Sequence, residues 1–95
     1  MSTNVKNRGG PTGPQLNDRV VEEIRVWMTR RHLNQVTIAG VLDVSQVWVS
    51  RRLGATRDVT LSLAEVERFA DALDVPVDDL VGTATRQYSD VLAAA

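Results

Sequence analysis

The side chains that carry most enzymatic and metal chemistry are scarce in this chain. None of its 95 residues is a cysteine, which excludes a disulfide scaffold, a thiolate metal site and a cysteine nucleophile. His32 is the single histidine, and neither a cysteine nor an acidic cluster stands at ligand spacing from it. The sequence also lacks a phosphate-binding loop and a paired nucleophile and base. We therefore expect no enzymatic activity, no metal and no cofactor.

Arginine supplies nearly all of the positive charge, and its distribution along the chain is uneven. Residues 19–57 contain seven arginines against three acidic residues, a net charge of +4. Residues 58–95 contain eight acidic residues against two arginines, a net charge of −6, and residues 1–18 carry +1. This asymmetry predicts a basic face suited to a polyanion and an acidic face turned away from it.

The apolar periodicity predicts an all-α domain, because no segment alternates apolar and polar residues for long enough to form a strand. A first helix is expected to begin at Asn17 or Asp18, either of which is a good N-cap, and to end near Arg31. Residues 1–16, rich in glycine and proline, are predicted to form a flexible tail. The inner face of the first helix is expected to contain Val20, Ile24, Trp27 and Met28.

Two short helices are predicted next, over residues 35–42 and 46–53. Asn34 and Ser45 are suitable N-caps, Asp43 interrupts the chain between the helices, and Gly54 in a left-handed conformation ends the second. Helices of eight residues are unstable in isolation, so these two must pack against each other and against a third. Their inward residues are expected to be Ile38, Ala39, Leu42, Val49 and Leu53.

The remaining residues predict further helices. Ser62 and Glu65 form a capping box that opens a fourth helix, which Val75-Pro76 ends. A short fifth helix is expected over residues 78–81, ending at Gly82, and another over residues 83–95. We accordingly divide the chain into a tail (1–16), a domain (17–82) and a C-terminal segment (83–95).

The segment from Gln35 to Ser50, QVTIAGVLDVSQVWVS, resembles the helix-turn-helix of the lambda-repressor and Cro-like (XRE-type) regulators. The resemblance rests on Ala39 in the first helix, on Val-Ser at 44–45 and Val-Ser-Arg at 49–51, and on the later LAEVERFADALDVPV of residues 63–77. It spans roughly residues 20–82 and implies a compact five-helix domain. Two positions depart from the family pattern: Asp43 replaces a frequent glycine, and Arg52 replaces a usually apolar residue.

In that family the second helix of the motif enters the major groove of DNA, so the resemblance implies that residues 45–53 form a recognition helix. Glutamine suits adenine, arginine suits guanine, and valine suits the methyl group of thymine. The positions that match the family's base-contacting residues are Gln46, Val47, Ser50 and Arg51. Phosphate contacts, which fix register without reading sequence, are expected from Gln35, Ser45, Trp48, Arg52 and Arg57.

The same resemblance implies a transcriptional regulator, a phage-type repressor or Cro-like protein that binds a double-stranded DNA operator as a homodimer. One motif reads only a few base pairs, so useful specificity requires two half-sites about one helical turn apart. The expected dimer surface is the apolar side of the last helix, formed by Tyr88, Val91 and Leu92.

A second interpretation keeps the fold but changes the partner. The chain would then be a protein-binding module, such as an antitoxin or an adaptor, and its contact surface would be Trp48 or the acidic half. No small-molecule substrate is indicated by either interpretation. No apolar run approaches the roughly 18 residues of a membrane span, and no signal peptide is evident, so we expect a cytoplasmic protein.

Overall fold

Short turns and one longer loop connect the helices of this protein. The computed structural model describes the backbone of residues 16–94 and the side chains of residues 16–86. No strand occurs between residues 16 and 94, so the all-α prediction is confirmed. The helices are α1 (Leu16–Arg30), α2 (Gln35–Leu42), α3 (Gln46–Leu53), α4 (Leu63–Leu73) and α5 (Val77–Ala94).

One apolar core unites the helices, and each of them contributes a single face to it. Phe69 of α4 is fully buried, as are Ile24 of α1, Ile38 of α2 and Val49 of α3. Helix α5 packs along α1, whereas α2 and α3 pack on each other and α4 contacts α1, α2 and α5. The two short helices are therefore held by the longer ones, as their marginal intrinsic stability requires.

Helices α2 and α3 have the predicted bounds, because the residues that start and stop them act locally. The Asn34 side chain accepts a hydrogen bond from the Thr37 amide, and the Ser45 side chain accepts one from the Trp48 amide. Asp43 ends α2 with φ 58° and ψ 48°, the left-handed region that aspartate tolerates better than most residues. The capping box of Ser62 and Glu65 at the start of α4 is confirmed as well.

The predicted N-cap of the first helix is wrong. Helix α1 begins at Leu16, so Asn17 and Asp18 lie within its first turn. Both side chains instead bind the loop between α3 and α4. The Asn17 side-chain oxygen accepts a hydrogen bond from the Leu61 amide, and the Asp18 carboxylate accepts one from Arg57. The predicted tail lies outside the described residues, apart from Leu16.

The prediction of a short helix ending at Gly82 is also wrong, because α5 continues through that glycine to Ala94. A glycine inside a helix costs roughly 1 kcal/mol relative to alanine, which burial of neighbouring residues can offset. Leu80 and Ala84, on either side of Gly82, are both fully buried. The proposed boundary between residues 82 and 83 therefore falls inside a continuous helix. No helix among residues 16–94 is long and apolar enough to cross a membrane.

Candidate nucleic-acid interface

The turn between α2 and α3 fixes the angle at which α3 leaves the body of the protein. The Asp43 amide donates to the Gly40 carbonyl (3.2 Å), and the Val44 amide donates to the Ala39 carbonyl (3.0 Å). Ala39 is 4% exposed, and Val49 is fully buried. A small side chain at Ala39 lets the two helices approach closely, so that three turn residues suffice to connect them.

The face of α3 opposite its buried side is directed to solvent. Val49 and Leu53 are 0% and 1% exposed, whereas Val47 is 65% exposed. Gln46 and Arg51 are also exposed, and Ser50 is half-buried with its hydroxyl donating to the Val47 carbonyl (3.3 Å). The four residues matched to base contacts therefore lie on one short helix, with three of them on its open side.

Gly54 ends α3, although not in the predicted left-handed conformation. Its φ is −76° and its ψ is 174°, so the backbone is extended there. A Cβ atom at this position would lie 2.5 Å from the Ser50 carbonyl oxygen. Glycine is thus required by this close approach of backbone atoms, and the expectation of a positive φ is wrong.

Arg51 is held by Asp58, a residue that the sequence interpretation did not single out. Its Nε and Nη2 donate to the two carboxylate oxygens of Asp58, at 3.0 and 3.3 Å. The hydrogen bond to Asp58 and the negative charge of Asp58 raise the pKa of the Arg51 guanidinium, and the hydrogen bond from Arg51 lowers the pKa of the Asp58 carboxyl. The side chains are 56% and 61% exposed, so the pair lies at the surface.

Trp48 and Arg52 turn inward, unlike the open residues of α3. The Trp48 ring stacks on Phe69 with 5.9 Å between ring centroids, and the Arg52 guanidinium lies 3.9 Å from the Trp48 ring centroid. Arg52 also donates to the Trp48 carbonyl (3.0 Å) and pairs with Glu65 (3.2 Å). Its side chain is 14% exposed. These contacts stabilise the join between α3 and α4, and we leave both residues out of the proposed interface.

The remaining residues matched to phosphate contacts lie at the borders of this face. Gln35 is half-buried at the start of α2, and Ser45 is exposed at the start of α3, where its hydroxyl caps the Trp48 amide (3.0 Å). Arg57, in the loop after α3, donates to Asp18 of α1 (2.8 Å). Together with the base-contacting candidates these residues form the α3 face, which comprises Gln35, Ser45, Gln46, Val47, Ser50, Arg51 and Arg57.

The charge distribution of the interface differs from the sequence interpretation. The acidic residues of the second half do not all lie away from the arginines, since Asp58 and Glu65 pair with Arg51 and Arg52. No sequence signal marks these pairs. Arg51 and Asp58 are separated by the turn that follows α3, and Arg52 and Glu65 lie on different helices. The residues expected at a dimer surface, Tyr88, Val91 and Leu92, lie outside the described side chains.

Comparison with protein-family models, with curated proteins and with solved structures finds no significant match to this chain.

Proposed function

We propose that this chain is a sequence-specific DNA-binding regulator of the lambda-repressor and Cro-like kind, which inserts α3 into the major groove. The observation that carries the proposal is the division of α3 into two sides. Val49 and Leu53 anchor one side in the core, while Gln46, Val47 and Arg51 project from the other. A helix with side chains is about 10–12 Å across, which suits a groove about 12 Å wide.

The side chains on the open side suit base recognition. A glutamine can form two hydrogen bonds with adenine, an arginine can form two with guanine, and a valine can contact the methyl group of thymine. Gln46 and Val47 occupy the first two positions of α3, where a helix entering the groove places its base-contacting residues. Phosphate contacts by Gln35, Ser45 and Arg57 would fix the register of α3 in the groove.

A homodimer on a two-fold symmetric operator completes the proposal, since eight residues of α3 reach only a few base pairs. The alternative, a protein-binding module, would use Trp48 or the acidic half as its contact surface. The Trp48 ring is half-buried against Phe69 and Arg52, and two residues of the acidic half, Asp58 and Glu65, pair with arginines.

Selection of bound sequences from a random pool of duplexes tests the proposal. We expect the wild-type protein to select paired half-sites about 10 base pairs apart. Arg51→Ala should remove the preference for one guanine, and Gln46→Ala should remove the preference for one adenine. Each loss corresponds to about 1–3 kcal/mol of discrimination against the wrong base. A protein that selects no sequence, or variants that select the same sequence as the wild type, would refute the assignment of α3.

Arg25→Ala is the matched control for Arg51→Ala. It removes the same charge from an exposed position on α1. A loss of general electrostatic attraction weakens binding to all sequences alike, whereas a lost base contact alters preference at one position. Arg25→Ala should therefore leave the selected sequence unchanged.

A further inference from the structure

Arg51 and Asp58 contact each other through two side-chain hydrogen bonds, and not through a single contact between charges. The carboxylate engages the guanidinium through two roughly parallel hydrogen bonds, Nε to Oδ1 and Nη2 to Oδ2. This fork-on-fork geometry fixes the orientation of the guanidinium plane as well as its position. An arginine that is 56% exposed would otherwise sample many rotamers.

The main chain of the loop after α3 also binds Arg51, the residue that the Asp58 carboxylate contacts. The amides of Asp58 and Val59 both donate to the Arg51 carbonyl, at 2.9 and 3.1 Å. The Arg57 amide donates to the Gly54 carbonyl (3.2 Å), which closes the turn that brings Asp58 back along α3. Arg51 is thus held at both its main chain and its side chain by one short loop.

The donors that Asp58 leaves unused determine what Arg51 can contact. A guanidinium has five N–H donors. Asp58 takes the one on Nε and one on Nη2, which leaves the end of the fork, formed by Nη1 and the second Nη2 hydrogen. That end presents two parallel donors, which match the O6 and N7 acceptors of guanine. Adenine presents one acceptor and one donor in the same places, so a fixed pair of donors discriminates against it.

We propose that Asp58 is a positioning residue for base recognition: it presents the end of the Arg51 guanidinium to a guanine and keeps Arg51 from phosphates and other bases. This inference rests on the proposed function and adds to it a residue that sets specificity without touching DNA. Because the ion pair is exposed, it contributes little to stability, so its consequence lies in discrimination. The negative charge of Asp58 also weakens attraction to phosphates, which lowers affinity for non-specific DNA.

Asp58→Asn is the informative variant, because it keeps the size of the side chain and removes its charge and one of its two acceptors. In the duplex selection we expect the guanine preference at the position lost in Arg51→Ala to fall roughly fivefold or more. Preferences assigned to Gln46 should persist, and binding to a scrambled duplex should tighten. In an Arg51→Ala background, Asp58→Asn should leave the preference at that position unchanged.

Glu67→Gln, which removes a charge from an exposed position on α4, is the control and should preserve the guanine preference. If Asp58→Asn retains that preference in full and only tightens binding to every duplex, Asp58 is a competitor for Arg51 and the inference is overturned. A change at that position that persists in the Arg51→Ala background would also overturn it, since the loop would then act directly. A wild-type protein that selects no sequence refutes the proposed function itself, an outcome distinct from these two.

Discussion

At the scale of single residues, Arg52 shows how a charged side chain can occupy a position where the helix-turn-helix pattern usually has an apolar one. Its guanidinium carbon lies over the Trp48 ring, 3.9 Å from the ring centroid, in the favourable cation–π arrangement. Its Nη1 donates to the Trp48 carbonyl and its Nη2 pairs with Glu65, while its Nε is buried without a hydrogen-bond partner. Leu53, the next residue along, fills the core position with 1% exposure. Arg52 thus covers the Trp48 ring at the edge of the core, where the family pattern has an apolar residue.

The partner of Arg52 makes the stability of the protein sensitive to acid. Partial burial raises the pKa of Glu65, but the hydrogen bonds that its carboxylate accepts from the Ser62 amide and from Arg52 outweigh this effect. The pKa therefore lies below its ordinary value of 4.5. A carboxyl group whose pKa is lowered by folding stabilises the folded state above its unfolded pKa, and the contribution is lost as the pH falls through the folded pKa.

We therefore predict that Glu65→Gln lowers the free energy of unfolding at pH 7 and that its difference from the wild type shrinks as the pH falls below 4.5. Glutamine can still accept a hydrogen bond from the Ser62 amide, so the capping box survives, while the charge and the acceptor that faces Arg52 are removed. Urea unfolding followed by circular dichroism between about pH 7 and pH 3 measures the difference. Glu67→Gln, on the exposed side of α4, should show no such narrowing. A constant difference between wild type and Glu65→Gln at every pH would contradict the prediction.

At the scale of helices and turns, Gly54 and Gly40 differ in the space available for a side chain. Gly54 lies where the main chain of the loop passes close to the last turn of α3, and an added Cβ would lie 2.5 Å from the Ser50 carbonyl oxygen. A Cβ atom added at Gly40, in the middle of α2, would have no atom within 4 Å apart from its chain neighbours and the backbone of α2 itself. The first site therefore cannot accept a side chain without a shift of the backbone, and the second can.

This contrast predicts opposite effects of the same substitution. Gly54→Ala should destabilise the protein by about 1–3 kcal/mol, because the turn or α3 must move to relieve the overlap. Gly40→Ala should stabilise it by up to about 1 kcal/mol, since alanine loses less conformational freedom than glycine in a helix. Chemical denaturation of both variants and the wild type measures the two changes. Destabilisation of equal size in both variants would show that the close approach at Gly54 is not what matters.

The sequence predicts α2, α3 and α4 well because their boundaries depend on residues adjacent in the chain. Asn34, Ser45 and Ser62 cap amides within their own first turns, and Asp43 adopts the left-handed conformation that ends α2. The base-contacting candidates come from the resemblance to the lambda-repressor and Cro-like pattern, and burial of Val49 and Leu53 leaves Gln46, Val47 and Arg51 on the open side of α3.

Contacts between distant segments are what the sequence does not reveal. Arg68 donates to the Leu42 carbonyl at the end of α2 (2.7 Å), and Arg31 donates to the Leu73 carbonyl at the end of α4 (2.9 Å). Both arginines complete helix ends to which they have no relation in sequence. The continuity of α5 has the same origin, because Leu80 and Ala84 are buried by tertiary packing that a local rule about Gly82 ignores.

At the scale of the whole molecule, ion pairs with neighbouring segments offset the positive charge of the α3 face. The two arginines of that face, Arg51 and Arg57, are paired with Asp58 and Asp18. The protein has a formal net charge of −1, so under the proposed function attraction to DNA would depend on local arrangement and not on overall charge. Substitutions of the acidic partners should then affect DNA binding as strongly as substitutions of the arginines.

The pair of Arg57 and Asp18 provides the last prediction. Arg57 donates to Asp18 over 2.8 Å, and the side chains are 26% and 41% exposed, so the pair contributes little to stability. Under the proposed function, Asp18→Asn leaves Arg57 without a competing carboxylate and should tighten binding to selected and scrambled duplexes alike. Arg57→Ala should weaken binding to both and reduce the slope of log K against log salt by about 1.

Dissociation constants measured between about 50 and 200 mM salt, on one selected and one scrambled duplex, give both slopes. In the Arg57→Ala background, Asp18→Asn should change affinity much less than in the wild type, because the two side chains act as a pair. Equal effects of Asp18→Asn in both backgrounds would mean that Asp18 repels phosphates directly. An effect of Arg57→Ala confined to the selected duplex would instead place Arg57 among the residues that read bases, and the division between base and phosphate contacts on the α3 face would have to be redrawn.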